Sequence, residues 1–521
     1  MPTFTLVKPN LYHDSVALLA LARRVRSGVG IREAAALMGT AANKALLAQS
    51  GLLTPEADSA CPGDLVVVIQ AESVAAAERA RAEADEFFAG RRQALERAAR
   101  PLPRTLEGAR RQRPGANLAL ISVPGGFAAA EARKALRLGL SVMLFSDSVA
   151  VEDEIALKRL ALERSLLLMG PDCGTAYLGG VPLGFANRVP RGRVGIVAAS
   201  GTGLQQVAVL LAARGEGISQ AIGVGGRDMS AAVGGLMTLA ALDALEADVA
   251  TELIVVIGKP AAPAVRERVA TTLRSMGKPA VIALLGREVE AGRHDRIVTV
   301  ANLEDAARAA VATLRDERFA SEPFSLSPGE VSRRVEAARR RLLPGQAAIR
   351  GLYAGGTLAH EAALILEPLL GPVAPNLGAR GDGVHRVVDL GADEFTVGRA
   401  HPMLDPTARV TAIRSAAEDP AVAVLLLDVV LGYGAAPDPA GDIAPAIEEA
   451  RALRQSCGGD LAVVASVIGA EGDPQGLGRQ VARLEEAGAW VLPSNAQAAR
   501  ASACIAGGEP VMKIVLERGG A

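Results

Sequence analysis

The segment Val194-Gly195-Ile196-Val197-Ala198-Ala199-Ser200-Gly201-Thr202-Gly203-Leu204-Gln205-Gln206 constrains this chain most, because an apolar run of strand length passes through a turn of small residues straight into a helical pattern. A strand without polar alternation expects both faces covered, which is the condition of a parallel sheet flanked by helices. The turn itself reads as an anion cradle. Unpaired N–H groups at a helix start, with Ser200 at the cap and Gly201 and Gly203 permitting close approach around Thr202, suit a phosphate or carboxylate. An ordinary tight strand-to-helix turn would look the same in sequence.

The same rhythm recurs along the chain. Apolar strand-length runs at 118–123, 141–145 and 165–169, then at 194–198, 218–224, 253–257 and 280–285, alternate with Ala-rich helical stretches. Alternating strands and helices predict doubly wound parallel sheets, here two consecutive domains over 116–188 and 189–315. A third α/β block spans 348–516. Residues 1–90 read as a small α+β domain, with strand-like runs at 4–8, 34–38 and 65–70 and helical stretches at 14–26, 43–49 and 74–88. Between these blocks, 91–115 (rich in Arg, Pro and Gln, with Arg110, Arg111 and Arg113) and 316–347 (charged after Pro323) read as linkers.

Composition narrows the function classes. Half of the 521 residues are apolar and only 3% aromatic, enough for several aliphatic cores. With 56 Lys and Arg against 57 Asp and Glu, no net field favours nucleic acid or an anionic membrane. The apolar runs are too short to span a bilayer and the first residues lack a signal-peptide pattern, so the expected location is the cytoplasm. Cys61, Cys173, Cys457 and Cys504 are scattered, without a Cys-x-x-Cys pair or His at ligand spacing, which argues against disulfides and a metal site.

Several further segments bear chemistry. Gly432-Tyr433-Gly434 follows the apolar run 422–430 and precedes a helix-like stretch, making a second candidate phosphate cradle. Lys259 follows the run 253–257 and is expected at a strand's carboxyl end, where open α/β sheets bind ligands, either as an anion partner or as a solvated loop lysine. Arg227, in Gly225-Gly226-Arg227-Asp228, can hold a substrate carboxylate or pair with a neighbouring acid. The Pro-stiffened loop 398–406 concentrates Arg399, His401 and Asp405, with His401 as a proton carrier or a structural partner of Asp405. Asp172 and Cys173 follow a strand and are expected as substrate contacts, and Cys173 would be a nucleophile only if a helix start lowered its pKa. His13, His294, His360 and His385 stand alone and read as surface or interface residues.

At these residues the chain resembles the acyl-CoA synthetase superfamily and, over nearly its whole length, the FdrA proteins within it. The motifs are Met38-Gly39-Thr40-Ala41-Ala42-Asn43-Lys44-Ala45-Leu46-Leu47, Met169-Gly170-Pro171-Asp172-Cys173-Gly174-Thr175, Ala199-Ser200-Gly201-Thr202-Gly203 and the segment 398–406. The resemblance implies a CoA-binding, Rossmann-like domain at 116–188, a flavodoxin-like domain similar to the second domain of the succinyl-CoA synthetase α subunit at 189–315, and, at 348–516, a domain similar to the C-terminal domain of the β subunit. In that enzyme two helix N-termini face one phosphate. By resemblance, the Ser200 and Gly432 cradles converge in the same way.

The chain also departs from that enzyme. The Gly-His-Ala-Gly phosphohistidine loop is replaced by Arg287-Glu288-Val289-Glu290-Ala291-Gly292-Arg293-His294-Asp295, and the family's Gly-Glu-Ile-Gly-Gly becomes Gly258-Lys259-Pro260. The first 90 residues are too few for an ATP-grasp domain. Two phosphate-facing helix starts with a lysine and no phosphohistidine suit free phosphate or carbamoyl phosphate as co-substrate. The resemblance to the FdrA subunit of oxamate carbamoyltransferase, in allantoin breakdown, implies that oxalurate and phosphate give oxamate and carbamoyl phosphate. Lys259 and His401 would act in catalysis, and Arg227 or Arg399 would hold the oxalurate carboxylate. Two other readings stay open: an acyl-CoA ligase subunit that binds CoA and borrows its nucleotide module, and a non-catalytic metabolite-binding assembly subunit. Partner subunits and a homo-oligomer are expected in each case.

Overall fold

The computed structural model describes residues 2–11, 13, 15–26, 28–96, 103–286, 291–377, 384–396 and 400–517. The chain divides into two compact units, residues 1–105 with 397–400, and residues 106–396 with 401–521.

The first unit is the small α+β domain. Its sheet is antiparallel, with Leu65–Ala71 between Thr3–Lys8 and Ile31–Met38. The helices Ser15–Arg26 and Val74–Glu96 share one core with it, through Leu21, Val25, Ala77 and Ala84 against Val67 and Ile69. Alternation along Leu65–Ala71 sends Val66 and Val68 to the other face, where Leu47, Leu52 and Ala57 cover them. Both faces are therefore closed, which accounts for a strand apolar at every position but Gln70.

The second unit holds three sheets. Leu118–Ile121, Ser141–Leu144 and Leu168–Met169 form a short parallel sheet. Next comes an eight-stranded sheet in which Ile297–Thr299, Ala280–Leu284, Leu253–Gly258, Arg191–Ala198 and Ile218–Gly223 run parallel. Its edges are antiparallel: Gly292–His294 at one end and the hairpin Thr175–Leu178/Val181–Gly184 at the other. That hairpin lies before residue 189, so the boundary read at 188/189 falls beyond strands that already belong to the second sheet. The third sheet is parallel, with strands Val373–Ala374, His385–Asp389, Ala348–Tyr353, Val422–Val430, Ala462–Ile468 and Ala489–Leu492 in that order.

The two larger sheets share one core with the helices Gly201–Ala212, Leu303–Leu314, Gly356–Leu370 and Asn495–Glu517. Neither linker is devoid of structure. Leu106–Gln112 is helical, including the Arg110 and Arg111 run. Pro328–Arg339 is a helix capped by Ser327, whose fully buried Val331 and Val335 stand four residues apart and join the shared core. High arginine content hid this second helix, since its charged residues occupy the solvent face and only two positions anchor it.

A polar staple closes the joint between the large sheets. Buried Asn187 donates from Nδ2 to the Leu431 carbonyl (3.1 Å), the Ile468 carbonyl (3.3 Å) and Asp473 Oδ2 (2.7 Å), while its Oδ1 accepts from Gln205 Nε2 at 3.1 Å. Loop 184–188 is thereby pinned to the third sheet, fixing the Ser200 helix against it.

Candidate functional site

Ser200 follows the strand Arg191–Ala198 and caps the helix Gly201–Ala212, its Oγ accepting the Gly203 N–H at 2.9 Å. The helix is apolar and buried nearly all round, so packing holds it and its first turn is left to face outward from the sheet's carboxyl edge. The expected cap is present.

Its partner is a different helix start from the one expected. Ser200 Oγ donates to Thr357 Oγ1 at 2.6 Å, and Thr357 lies in the first turn of Gly356–Leu370, directly after the strand Ala348–Tyr353. A Cβ on Gly355 would lie 2.9 Å from Thr202 Oγ1, so the Thr202 side chain of one helix start packs directly on the Gly355 backbone of the other. The first amides of each helix lack intrahelical acceptors, and the Ser200–Thr357 hydrogen bond holds the two starts side by side.

Gly432-Tyr433-Gly434 is committed elsewhere. The Gly432 amide donates to Gln475 Oε1 at 3.1 Å, and the Tyr433 amide to the Ala186 carbonyl at 2.8 Å. The following helix starts only at Pro439, beyond its cap residue Asp438. A Cβ on Gly434 would lie 2.9 Å from the Phe185 ring. These residues lock the loop 184–188; they are not a second cradle beside Ser200.

Lys259 comes immediately after Leu253–Gly258 and is exposed at that strand's carboxyl end. Its Nζ lies 3.4 Å from the Cβ position of Gly356, where any side chain would collide with Asp389 Oδ2. Asp389 ends the strand His385–Asp389, and its Oδ1 accepts the Gly391 amide at 2.9 Å. The site thus brings Ser200, Thr202 and Lys259 from one sheet edge to Gly356, Thr357 and Asp389 from another.

His401 also reaches this edge. Its Nε2 lies 2.6 Å from the Cβ position of Gly391, with Asp389 Oδ1 3.2 Å from the same point. Burial lowers its pKa; Asp428 opposes that shift and Arg409 adds to it. Neutral imidazole is therefore the resting form. Nδ1 accepts the Met403 amide at 3.2 Å, which assigns the proton to Nε2 and makes that atom a donor toward the site. Asp405 holds Thr407 rather than His401.

His360, read as an isolated interface residue, lies on the Gly356–Thr357 face of the helix, one turn on. Its Nε2 bonds the Leu285 carbonyl at 3.3 Å, and burial, with Lys259 adding to it, lowers its pKa. His294 is on the surface beside Asp295. His13 stacks on Phe88, and His385 Nδ1 accepts the Ile349 amide.

Two expected substrate contacts, Arg227 and Cys173, are committed elsewhere. Arg227 pairs with Glu154 Oε2 at 2.9 Å and donates to the Val149 carbonyl at 2.7 Å, completing a lattice in which buried Lys158 holds Glu154 and Asp228 at 2.7 Å each. Cys173 is 2% exposed, burial pushes its thiol up to about 12, and its Sγ faces the Thr175 carbonyl. No thiolate nucleophile forms there at neutral pH. Asp172 is exposed, with its amide bonded to the Ser146 carbonyl. Arg399 and residues 287–290 lie outside the described residues.

Over 498 residues the chain is 41% identical to the uncharacterized protein YahF of Escherichia coli strain K12, covering 94% of this chain and 96% of that one. The family described as CoA-ligase matches residues 352–505, the CoA binding domain family matches 190–286, and the AllF heavy metal-associated domain family matches 1–101. The chain belongs to the FdrA-type CoA-ligase-like family. The CoA-binding match of this FdrA-type chain falls on the segment that carries Ser200 and Lys259, not on 116–188. Its similarity extends to the α subunit of ADP-forming succinate–CoA ligase. Identity is 28% for the subunit from Staphylococcus epidermidis strain ATCC 35984, over 37% of this chain and 64% of that one, and 30% for the subunit from Aquifex aeolicus, over 34% and 59%. Among the described residues no group of three or more His, Cys, Asp or Glu could hold a metal ion, and no helix is long and apolar enough to cross a membrane.

Two features were missed in the sequence. Tyr353-Ala354-Gly355-Gly356-Thr357 repeats the strand–small-residue–hydroxyl–helix pattern of 194–203, and that signal was available. Asp428 and Asp389 carried a weaker one, an acid within or at the end of a buried strand.

Proposed function

We propose that this FdrA-type chain is a subunit of a phosphate-using transferase, and that its reaction is that of oxamate carbamoyltransferase: oxalurate and phosphate give oxamate and carbamoyl phosphate. The observation that carries this reading is the 2.6 Å Ser200–Thr357 contact, which holds two helix starts side by side, with Lys259 Nζ 3.4 Å from the Cβ position of Gly356. Each start contributes on the order of half a positive charge and the ammonium a whole one, against the Asp389 carboxylate beside Gly356. Hydrogen phosphate, a tetrahedral anion that keeps one O–H to offer a carboxylate, matches that arrangement.

In the forward direction a phosphate oxygen attacks the ureido carbonyl carbon of oxalurate. A C–O bond forms, the C–N bond to the oxamate nitrogen breaks, and that nitrogen takes a proton. That proton comes from the attacking hydrogen phosphate itself, while the neutral His401 donates a hydrogen bond from Nε2–H to the reacting oxygens, so no outside acid or ATP is required. Lys259 and the helix-start amides stabilise charge as it shifts between phosphate and carbonyl oxygens.

The CoA-binding family match at 190–286 favours a second reading, an acyl-CoA ligase-like subunit with CoA as ligand. The deciding experiment incubates the purified chain, alone and with the products of neighbouring genes, with oxalurate and phosphate, with and without ATP and CoA. Carbamoyl phosphate formed without ATP or CoA supports phosphorolysis. No product, together with thermal stabilisation by CoA, moves the assignment to the ligase-like reading.

A further inference from the structure

The two helix starts are held by different means. Ser200 caps its own helix, whereas Gly355, at the equivalent position of Gly356–Leu370, has no side chain to offer. The neighbouring strand instead holds the two residues that lead into the helix, whose first-turn amides keep no side-chain cap. Asp428, fully buried within Val422–Val430, accepts the Ala354 amide on Oδ1 and the Gly355 amide on Oδ2, both at 2.8 Å. A carboxylate taking two successive amides fixes both peptide planes, and with them the direction in which the next amides point.

That solution places a negative charge behind a helix start that is to receive an anion. Arg409, buried on the helix Thr407–Ala417, answers it. Its Nη2 lies 3.3 Å from Asp428 Oδ1 and donates to the Asp428 carbonyl at 2.5 Å and the Leu352 carbonyl at 3.2 Å. The guanidinium cancels the carboxylate while tying together the two adjacent strands that carry Asp428 and Leu352.

We infer that Asp428 and Arg409 are positioning residues of the phosphate site: Asp428 orients the Gly356–Thr357 helix start, and Arg409 neutralises Asp428 so that an anion is accepted there. This rests on the phosphate reading above. A merely structural pair would alter melting temperature and leave the phosphate affinity of the folded protein unchanged; a positioning pair alters the affinity itself.

The test is calorimetric titration of the full chain with inorganic phosphate, comparing wild type, Asp428→Asn, Arg409→Met and the double variant. Asp428→Asn keeps the shape and one acceptor but releases one of the two peptide planes, and is expected to weaken phosphate binding about tenfold against the opposing attraction of the unpaired Arg409. Arg409→Met leaves an unpaired carboxylate behind the site and should weaken it further, while the double variant recovers part of the loss because the repelling charge is gone. Phosphate affinities within about twofold of wild type in both single variants would overturn the inference, since they would fall inside the scatter of a non-interacting surface site. Absence of phosphate binding by wild type would instead remove the phosphate reading, and this inference with it.

Should the Arg409 or Asp428 variants fail to fold, amide exchange in the wild-type chain decides. Protection of Ala354 and Gly355 without ligand, with Gly356 and Thr357 gaining protection only on adding phosphate, supports the assignment. Exchange of Gly356 and Thr357 that ignores phosphate contradicts it.

Discussion

Ser200 Oγ and Thr357 Oγ1, 157 positions apart in the chain, lie 2.6 Å from each other and join the first turns of two helices from different sheets. Removing either hydroxyl tests what this contact does. Thr357→Val keeps the shape and deletes the acceptor, so phosphate affinity should fall about tenfold with little change in melting temperature. Ser200→Ala also removes a helix cap and should cost about 1 kcal/mol of stability. Because the two side chains share one hydrogen bond, the double variant should lose less than the sum of the two, a comparison that denaturant titration and phosphate calorimetry can make.

Lys259 is exposed and contributes little packing. Lys259→Met should therefore leave unfolding unchanged and lower turnover by about a hundredfold or more, the scale of losing one preorganised electrostatic partner. Unaltered turnover would take Lys259 out of the mechanism.

The thiols should divide sharply. Cys61 and Cys457 are exposed, while Cys173 and Cys504 are buried, each held at about 12 by burial. In the native protein at pH 8, alkylation followed by mass spectrometry should mark the first pair only, and Cys173→Ala should retain turnover. Rapid native labelling of Cys173 would reopen a nucleophilic role.

Arg227 should behave as a structural residue. Arg227→Gln breaks its bond to buried Glu154, and the expected result is a lower melting temperature with an unchanged KM for oxalurate. A large rise in KM alone would return it to the substrate.

Glu361, fully buried and accepting the Leu303 amide and Asn495 Nδ2, is raised to about 7, chiefly by burial. Its folded pKa exceeds the unfolded value, so its protonated form contributes stability that is complete below the unfolded pKa and is lost as pH rises toward 7. The lost amount is about 3 kcal/mol by linkage. Glu361→Gln should flatten the fall in unfolding free energy between about pH 4.5 and 7. An unchanged slope would show that other groups set it.

How much of this was legible follows from the range of each signal. The Ser200 cap, the parallel strands and the carboxyl-end position of Lys259 are local, since adjacent residues decide them. Gly432-Tyr433-Gly434 carries the same local signature as Gly355-Gly356-Thr357, and only the partners Ala186 and Gln475 show that its amides are already taken. Arg227 likewise looked available until Glu154, 73 positions earlier, closed on it. Val331 and Val335 were too few to stand out among arginines. Pairing across long separations, more than secondary structure, is where the reading of the residues stopped.

The central claim is that both helix starts bind the reacting phosphate. Its most direct test supplies radiolabelled orthophosphate and oxalurate to the complete enzyme, without ATP or CoA, and follows label into carbamoyl phosphate for wild type and for Ser200→Ala/Thr357→Val. Labelled product is predicted from the wild type, with a loss of at least about tenfold in the double variant, the size of the one hydrogen bond the two hydroxyls share. Equal labelling in both, or labelling only when ATP and CoA are added, would contradict it.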